Sequence, residues 1–298
     1  MNRILLLGAD GQVGWELQRS LAPLGELTVC TRKHADFTRP EALGLLIEEI
    51  CPSIIVNAAA YTAVDKAETD EATAQLVNAD AVGVLAEAAA EAGAWLVHYS
   101  TDYVFDGASC TPYREDDATN PLSAYGRTKL EGERRIKDSG CKHLIFRTSW
   151  VYAARGNNFA KTMLKLAKER DELQVVADQV GAPTSAELIA DVTSLVLAKI
   201  DVDSALAVKA SGIYHLVASG QTTWHSYAQR VVQYAASQGI ALKVTPDRIK
   251  AITTAEYPVP AKRPVSSRLS TEKIRRTFSI HLPEWQFHID RMLNEINI

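Results

Sequence analysis

Apolar positions along the 298 residues fall into two kinds of stretch. Short runs that are almost wholly apolar, at 3–7, 27–30 and 54–57, end in glycine or polar turns, the pattern of strands buried on both faces. Longer stretches between them place apolar residues at helical spacing. One helix follows Gly14 with Trp15, Leu17, Leu21 and Leu24 available for packing, and Gly25 stops it. A second covers about 40–50, and Ala-rich 71–92 reads as one long buried helix closed by Gly93. The strand WLVHYS at 95–100 comes next, then a turn over 101–107 and a helix that opens at Pro121. HLIFRTSWVY at 143–152 reads as one further buried strand. Strands alternating with helices predict an α/β fold, a Rossmann-like doubly wound parallel sheet with right-handed crossovers. Ligands of such sheets lie at the carboxyl ends of strands, here 8–14, 58–61, 100–102 and 148–150.

After Tyr152 the alternation loosens. Helices are expected near 159–170, 187–199 and 224–238, strands at 174–177 and 212–218, and two last helices at about 270–278 and 283–296. Pro258, Pro260 and Pro264 interrupt this half, which reads as a smaller α/β substrate lobe folded over the strand ends. The expected division is a dinucleotide-binding domain over 1–152, with 184–218 returning to it, and a substrate-binding lobe from 153–183 and 219–298.

Composition narrows the choice of partner. The chain is 47% hydrophobic and 23% charged, ordinary for a globular protein, and its net charge of −4 gives no reason to expect nucleic acid or an anionic membrane. No apolar run approaches the ~20 residues of a membrane span. The N-terminal run is too short for a signal peptide, so the expected compartment is the cytoplasm. Cys30, Cys51, Cys110 and Cys141 lack metal-like spacing, and Cys30 and Cys51 are expected as buried reduced thiols.

The chemistry gathers around the fourth expected strand. Tyr125 and Lys129 are four residues apart, which puts them on one helix face, one turn from each other. A cation there favours the phenolate and lowers the pKa of a phenol that gives or takes a proton at a carbonyl carbon. Thr101, at the strand end, brings a hydroxyl to the same oxygen. The pair alone is a weak signal, since roughly half a Tyr-x-x-x-Lys match is expected by chance among ten tyrosines. The strand end upstream and the glycines at 8, 11 and 14 strengthen it. Gly8 permits a tight turn, Gly11 lets a pyrophosphate approach a helix N-terminus, and Gly14 lets helix and strand pack closely. The alternative is a tight turn with no ligand. The second strand ends in Thr31-Arg32-Lys33, without the carboxylate that would hydrogen-bond a ribose 2′-hydroxyl, so Arg32 is placed to meet a 2′-phosphate and NADPH is expected to serve at least as well as NADH. Asp36 stands close enough to weaken that argument.

The segments VNAAAYTAVDKAE, HYSTDYVFDG, YGRTKLEGE, FRTSWVY, GNNFAKTM, GAPT and RPVSSRL resemble the extended short-chain dehydrogenase/reductases, and within them the dTDP-4-dehydrorhamnose reductase family. The likeness covers nearly the whole chain. It implies NADPH- or NADH-dependent reduction of the 4-keto group of a dTDP-4-keto-6-deoxyhexose, with Tyr125 as proton donor and Lys129 holding the nicotinamide ribose. It implies that Gly11, Gln12 and Val13 line the pyrophosphate, that Asp36 and Phe37 meet the adenine, and that Ala60, Tyr61, Thr62 and Tyr99 lie along the cofactor. Asp102 and Trp150 would meet the sugar, the alternative for Trp150 being a core aromatic. Arg263 and Arg268 are candidates for the diphosphate, the alternative being an exposed salt-bridging face. A homodimer with Mg²⁺ between subunits is implied too, on Glu16, Glu187 and Glu295, the alternative being three unrelated surface carboxylates.

Two other functions stay open on the residues. A nucleotide-sugar epimerase or dehydratase shares this scaffold, but a dehydratase wants an acidic pair after the strand-end Thr, and here Asp102 is followed by Tyr103. A non-catalytic regulatory subunit of this fold need not keep Thr101, Tyr125 and Lys129 together.

Overall fold

The structure, a computed structural model, describes residues 1–296. Strands β1 (Asn2–Leu7), β2 (Gly25–Cys30), β3 (Ile54–Asn57), β4 (Trp95–Thr101) and β5 (Lys142–Thr148) join the strand Gly212–His215 in one six-stranded sheet. The spatial order is Gly212–His215, β5, β4, β3, β1, β2, and every neighbouring pair is parallel. Side chains alternate faces along a strand. Ile4 and Leu6 enter the apolar cluster on one face, Leu5 and Leu7 the cluster on the other. Both faces are therefore covered by helices, which is why these strands read as unbroken apolar runs.

Several elements differ from expectation, each for a physical reason. The expected strand over 143–152 breaks at Trp150, whose φ of 48° is left-handed, and Val151–Tyr152 leaves the main sheet to pair with Thr184–Ser185. The 71–92 helix is continuous but carries a π turn at Leu76–Asp80, which swings Asn78 inward. The helix expected from Pro121 begins at Ala124, where the Ser123 side chain caps it by accepting from the Gly126 N–H. Unforeseen elements are the helix Ser204–Ala210 and the strand Ile249–Ile252, which pairs parallel with Leu173–Val176. Trp15 is not a core residue; it is 45% exposed and carries the Arg155 guanidinium over its ring at 3.9 Å. Cys51 is exposed, at the end of the Pro40–Ile50 helix, while Cys30 is buried; all four cysteines are free. Among the described residues no helix is long and apolar enough to cross a membrane.

What positions the site is the packing of the helix Ala124–Asp138 against β4 and β5. Gly126 lets it approach closely, since a Cβ there would lie 2.3 Å from the Tyr103 carbonyl oxygen. Glu133, one turn beyond Lys129, is almost fully buried and grips Arg147 of β5 through two bonds, Arg147 Nη2 to Oε2 at 2.6 Å and Nε to Oε1 at 2.9 Å. Ser100 of β4 donates its hydroxyl to the same carboxylate. The proline-rich tail returns over this region. Arg263 pairs with Asp65 at 2.7 Å, and Ser267 donates to the Asp102 carboxylate, so residues far apart in sequence close one side of the strand ends.

Candidate active site

At the carboxyl end of β1 the chain turns through Gly8, with φ of 75°, into the helix Gln12–Leu21. A Cβ at Gly8 would meet the Ala59 nitrogen at 2.5 Å, and one at Gly14 would meet the Gly8 oxygen at 2.1 Å, so turn, helix and the end of β3 are packed too closely for any side chain there. Gly11 caps the helix without a side-chain acceptor. Its first N–H groups and positive dipole end face outward, an anion-binding arrangement. Gln12 is tied to the Asn157 carbonyl through its Nε2 at 3.2 Å, while its Oε1 is buried without a partner. Val13 packs on the core. Ala60, Tyr61 and Thr62 follow β3 across the opening; Tyr61 is fixed at both backbone ends by Asn78, with bonds of 2.9 Å and 3.1 Å, and its hydroxyl donates to Asp70 at 3.2 Å.

Thr101 and Tyr125 stand close together at the end of β4, and Lys129 lies one turn further along the Tyr125 helix with its amine turned to β4. Thr101 is buried; its hydroxyl donates to Asp102 Oδ1 and accepts the Tyr103 N–H, each at 3.2 Å. The Tyr125 ring packs edge-on against Tyr103 at 5.7 Å. Burial pushes the Tyr125 phenol above its ordinary range; the Thr101 side chain, close enough to hydrogen-bond it, pulls it down, and Asp102 pushes it up. The expected lowering by Lys129 is not what the geometry gives. Lys129 is 1% exposed, and its Nζ donates to the Tyr99 carbonyl at 2.6 Å and lies 3.0 Å from His98 Nε2. A buried cation must satisfy its donors locally, and β4 supplies the partners. Burial lowers the Lys129 pKa to about 8, with Glu133 acting in the opposite direction. Burial also raises the Asp102 carboxyl to about 6, against its hydrogen bonds from Ser267 and Thr101.

Other expected residues are placed differently. The Tyr99 phenol lies in the core against Thr193 at 2.8 Å, so it is the Tyr99 carbonyl that meets the site. Phe37 is buried in the apolar cluster that contains Leu5 and Leu7. Thr31 is bound locally to His34 at 3.2 Å, and Arg32 projects into solvent 4.0 Å from Asp36, whose carboxylate is engaged by the Thr38 amide and hydroxyl. Trp150 stacks on Trp224 at 3.6 Å, and Trp224 with Phe159, Gln179, Tyr257 and Arg263 lines an apolar cleft of about 690 Å³. Arg263 also donates to the Tyr103 hydroxyl at 3.1 Å. Arg268 is spent elsewhere: its guanidinium ties the Ser109 and Cys110 carbonyls at 3.2 Å and 2.8 Å, which fits a structural tie and not a phosphate contact. Sequence reading missed His98, Asn78 and Trp224. The first two were signalled by polar residues inside otherwise apolar elements; Trp224 gave no such signal.

Glu16, Glu187 and Glu295 line one cleft of about 350 Å³. Burial and the charges of Glu187 and Glu295 raise the Glu16 carboxyl. Glu187, however, accepts from Arg291 Nε at 2.9 Å and 3.1 Å, and among the described residues no group of three His, Cys, Asp or Glu is close enough to hold a metal ion. One chain by itself does not form the expected Mg²⁺ site, because a guanidinium already occupies the central carboxylate.

Comparison with known proteins agrees with this geometry. A family model described as the RmlD substrate binding domain matches residues 1–298. A dTDP-4-dehydrorhamnose reductase of Shigella flexneri is 54% identical over 297 residues, covering 98% of this chain and 97% of that protein. The crystal structure of such a reductase from Clostridium acetobutylicum superposes with a TM-score of 0.89 at 37% identity, over 99% of each chain. One from Bacillus anthracis, solved in complex with NADP, gives 0.87 at 34% identity, again over 99% of each. The shared length, together with Thr101, Tyr125 and Lys129 gathered at the end of β4, means that this chain belongs to the dTDP-4-dehydrorhamnose reductase family.

Proposed function

We propose that this protein reduces the 4-keto group of dTDP-4-dehydro-L-rhamnose to dTDP-L-rhamnose with NADPH or NADH, Tyr125 giving the proton, and that it does so in the cytoplasm. The observation that carries the reading is the meeting of Thr101 and Tyr125, with Lys129 one turn further on, at the end of β4. The residues of the glycine turn fit a dinucleotide: the Gly11 cap leaves helix N–H groups open, and the buried Gln12 Oε1 lacks a partner. The reduced nicotinamide, when bound, supplies the hydride to the carbonyl carbon. This chain supplies position and a proton. Burial keeps Tyr125 as the neutral phenol, so it holds the proton that the carbonyl oxygen needs. Thr101 offers its hydroxyl to the same oxygen. Trp224, backed by the stacked Trp150, presents an aromatic wall to the apolar cleft, and Arg263, lining the same cleft, is the cation proposed for the diphosphate.

Tyr125→Phe keeps the ring and removes the proton. Turnover with a dTDP-4-keto-6-deoxysugar is expected to fall by about 10²–10⁴ while cofactor still binds by fluorescence titration. Near-normal turnover would end the assignment.

The second proposal concerns the cofactor. Arg32 is solvated, its ion pair with Asp36 is long at 4.0 Å, and the Asp36 carboxylate is engaged by Thr38, so the guanidinium can turn to meet a 2′-phosphate. Comparison of kcat/KM with both cofactors is expected to show NADPH at least equal to NADH in wild type, and a ratio moved toward NADH in Arg32→Ala. A tenfold preference for NADH in wild type, or an unchanged ratio in the variant, would contradict it.

The third proposal is a homodimer that completes a Mg²⁺ site at Glu16, Glu187 and Glu295. It is supported by the three carboxylates facing one cleft, where burial first, and then the charges of Glu187 and Glu295, raise the Glu16 carboxyl, a repulsion that a cation would relieve. Sedimentation with and without Mg²⁺ is expected to give a dimer that Mg²⁺ strengthens; a monomer under both conditions would overturn it.

A further inference from the structure

Trp150 lies two residues beyond Thr148, the β5 partner of Thr101 in register, and its backbone is left-handed with φ of 48°. A bulky residue keeps that conformation only where its surroundings over-determine it. The ring has two supports. A Cβ at Gly181 would lie 2.7 Å from it, so the indole rests on bare backbone there. Trp224 stacks on it, with centroids 3.6 Å apart and planes 14° from parallel. Trp224 also lines the apolar cleft, so the stacked pair reaches from the strand ends to the cleft. What fixes Trp224 is Gln179, which is 6% exposed. An indole N–H only donates, so the Gln179 oxygen receives it, at 3.2 Å. The amide NH₂ is left for the Thr254 hydroxyl oxygen, at 3.1 Å. That hydroxyl gives its own proton to the Asp178 carboxylate at 2.6 Å, which leaves its oxygen free to accept. Asp178 also accepts the Thr254 backbone N–H, at 3.0 Å and 2.9 Å. The amide therefore has one orientation in which every donor meets an acceptor.

We propose that Gln179 is a positioning residue for substrate recognition: its oxygen fixes Trp224 against Trp150, and its bond to Thr254 holds the amide in that orientation. An apolar side chain of the same size leaves the indole N–H without an acceptor, and an unmade bond costs more than a made one returns. Trp224 is then free to turn, and Trp150 loses one of the two supports of its left-handed backbone. The glycine turn and the Tyr125 helix are held by other contacts, the close packing at Gly8 and Gly14 and the Glu133–Arg147 pair. The effect therefore falls on how the substrate is held and leaves the cofactor alone. That consequence rests on the reductase reading, in which the cleft takes the sugar nucleotide; the hydrogen-bond chain does not.

Circular dichroism reads the stack without substrate. Among the described residues Trp150 and Trp224 are the one pair of tryptophans with stacked rings, so an exciton couplet that disappears in Trp224→Phe belongs to them. Gln179→Leu is expected to weaken the couplet. Gln179→Glu keeps an oxygen toward Trp224 and is expected to retain it. With a dTDP-4-keto-6-deoxysugar, Gln179→Leu is expected to raise KM by about three- to tenfold, the worth of one hydrogen bond, with kcat and the NADPH dissociation constant unchanged. Gln179→Glu is expected to recover most of that loss. A wild type without the couplet, or an unweakened couplet or unchanged KM in folded Gln179→Leu, overturns the proposal. So does a joint loss of kcat and cofactor affinity, which marks a merely structural side chain. Should Gln179→Leu fail to fold, Trp224→Phe removes the same bond from its other end, and an unchanged KM there overturns the proposal too. Absence of wild-type turnover would refute the reductase reading, and the couplet in Gln179→Leu would still decide whether the amide holds the stack.

Discussion

Two charged side chains, Lys129 and Glu133, are buried one turn apart on the same helix, and the site depends on where their partners stand. Isolated charges in the interior are costly, so each is tolerated only against its own acceptors or donors. For Glu133 these are Arg147 on β5 and Ser100 on β4; for Lys129 they are His98 and the Tyr99 carbonyl on β4. Removing one partner of such a pair costs roughly 3–5 kcal/mol, against a total stability of about 5–15 kcal/mol for a typical protein. A helix rotated or slid along the sheet would leave a charge unpaired. The same restraint that seats the helix therefore fixes the direction in which Tyr125 points.

Tyr125 meets Thr101 because both are anchored to β4, one through the strand itself and the other through this helix. The surroundings keep the phenol protonated: burial disfavours the phenolate, and the Asp102 charge adds to that. A reductive step needs an acid in its neutral form at the carbonyl oxygen, the role proposed for Tyr125. Residues from the tail complete the enclosure, with Ser267 on Asp102 and Arg263 between Tyr103 and Asp65. The strand ends, the helix Ala124–Asp138 and the tail thus share one set of polar contacts.

Much of this was legible in the chain before any coordinates. The main strands declared themselves because both sheet faces are covered, and Tyr125, Lys129 and Thr101 declared themselves through spacing and a strand end. What stayed hidden was decided by tertiary contacts. Nothing local in HLIFRTSWVY signals that Trp150 turns left-handed and hands Val151–Tyr152 to Thr184–Ser185. The strand Ile249–Ile252 exists only because Leu173–Val176 lies beside it. Spacing placed Lys129 under Tyr125, but the need to satisfy a buried amine turned its Nζ to β4. Arg263 and Arg268 looked equivalent in RPVSSRL, yet one lines the cleft and the other ties a loop.

The central claim is that the site at the end of β4 brings hydride and proton to a sugar ketone. It is tested most directly by supplying reduced nicotinamide cofactor deuterated at the transferring position together with dTDP-4-dehydro-L-rhamnose, and reading the product by mass and NMR. The account predicts stoichiometric cofactor oxidation and a single deuterium on the sugar C4 of dTDP-L-rhamnose. No cofactor consumption, as expected of a redox-neutral epimerase or dehydratase, or deuterium at any sugar carbon other than C4, would contradict the account.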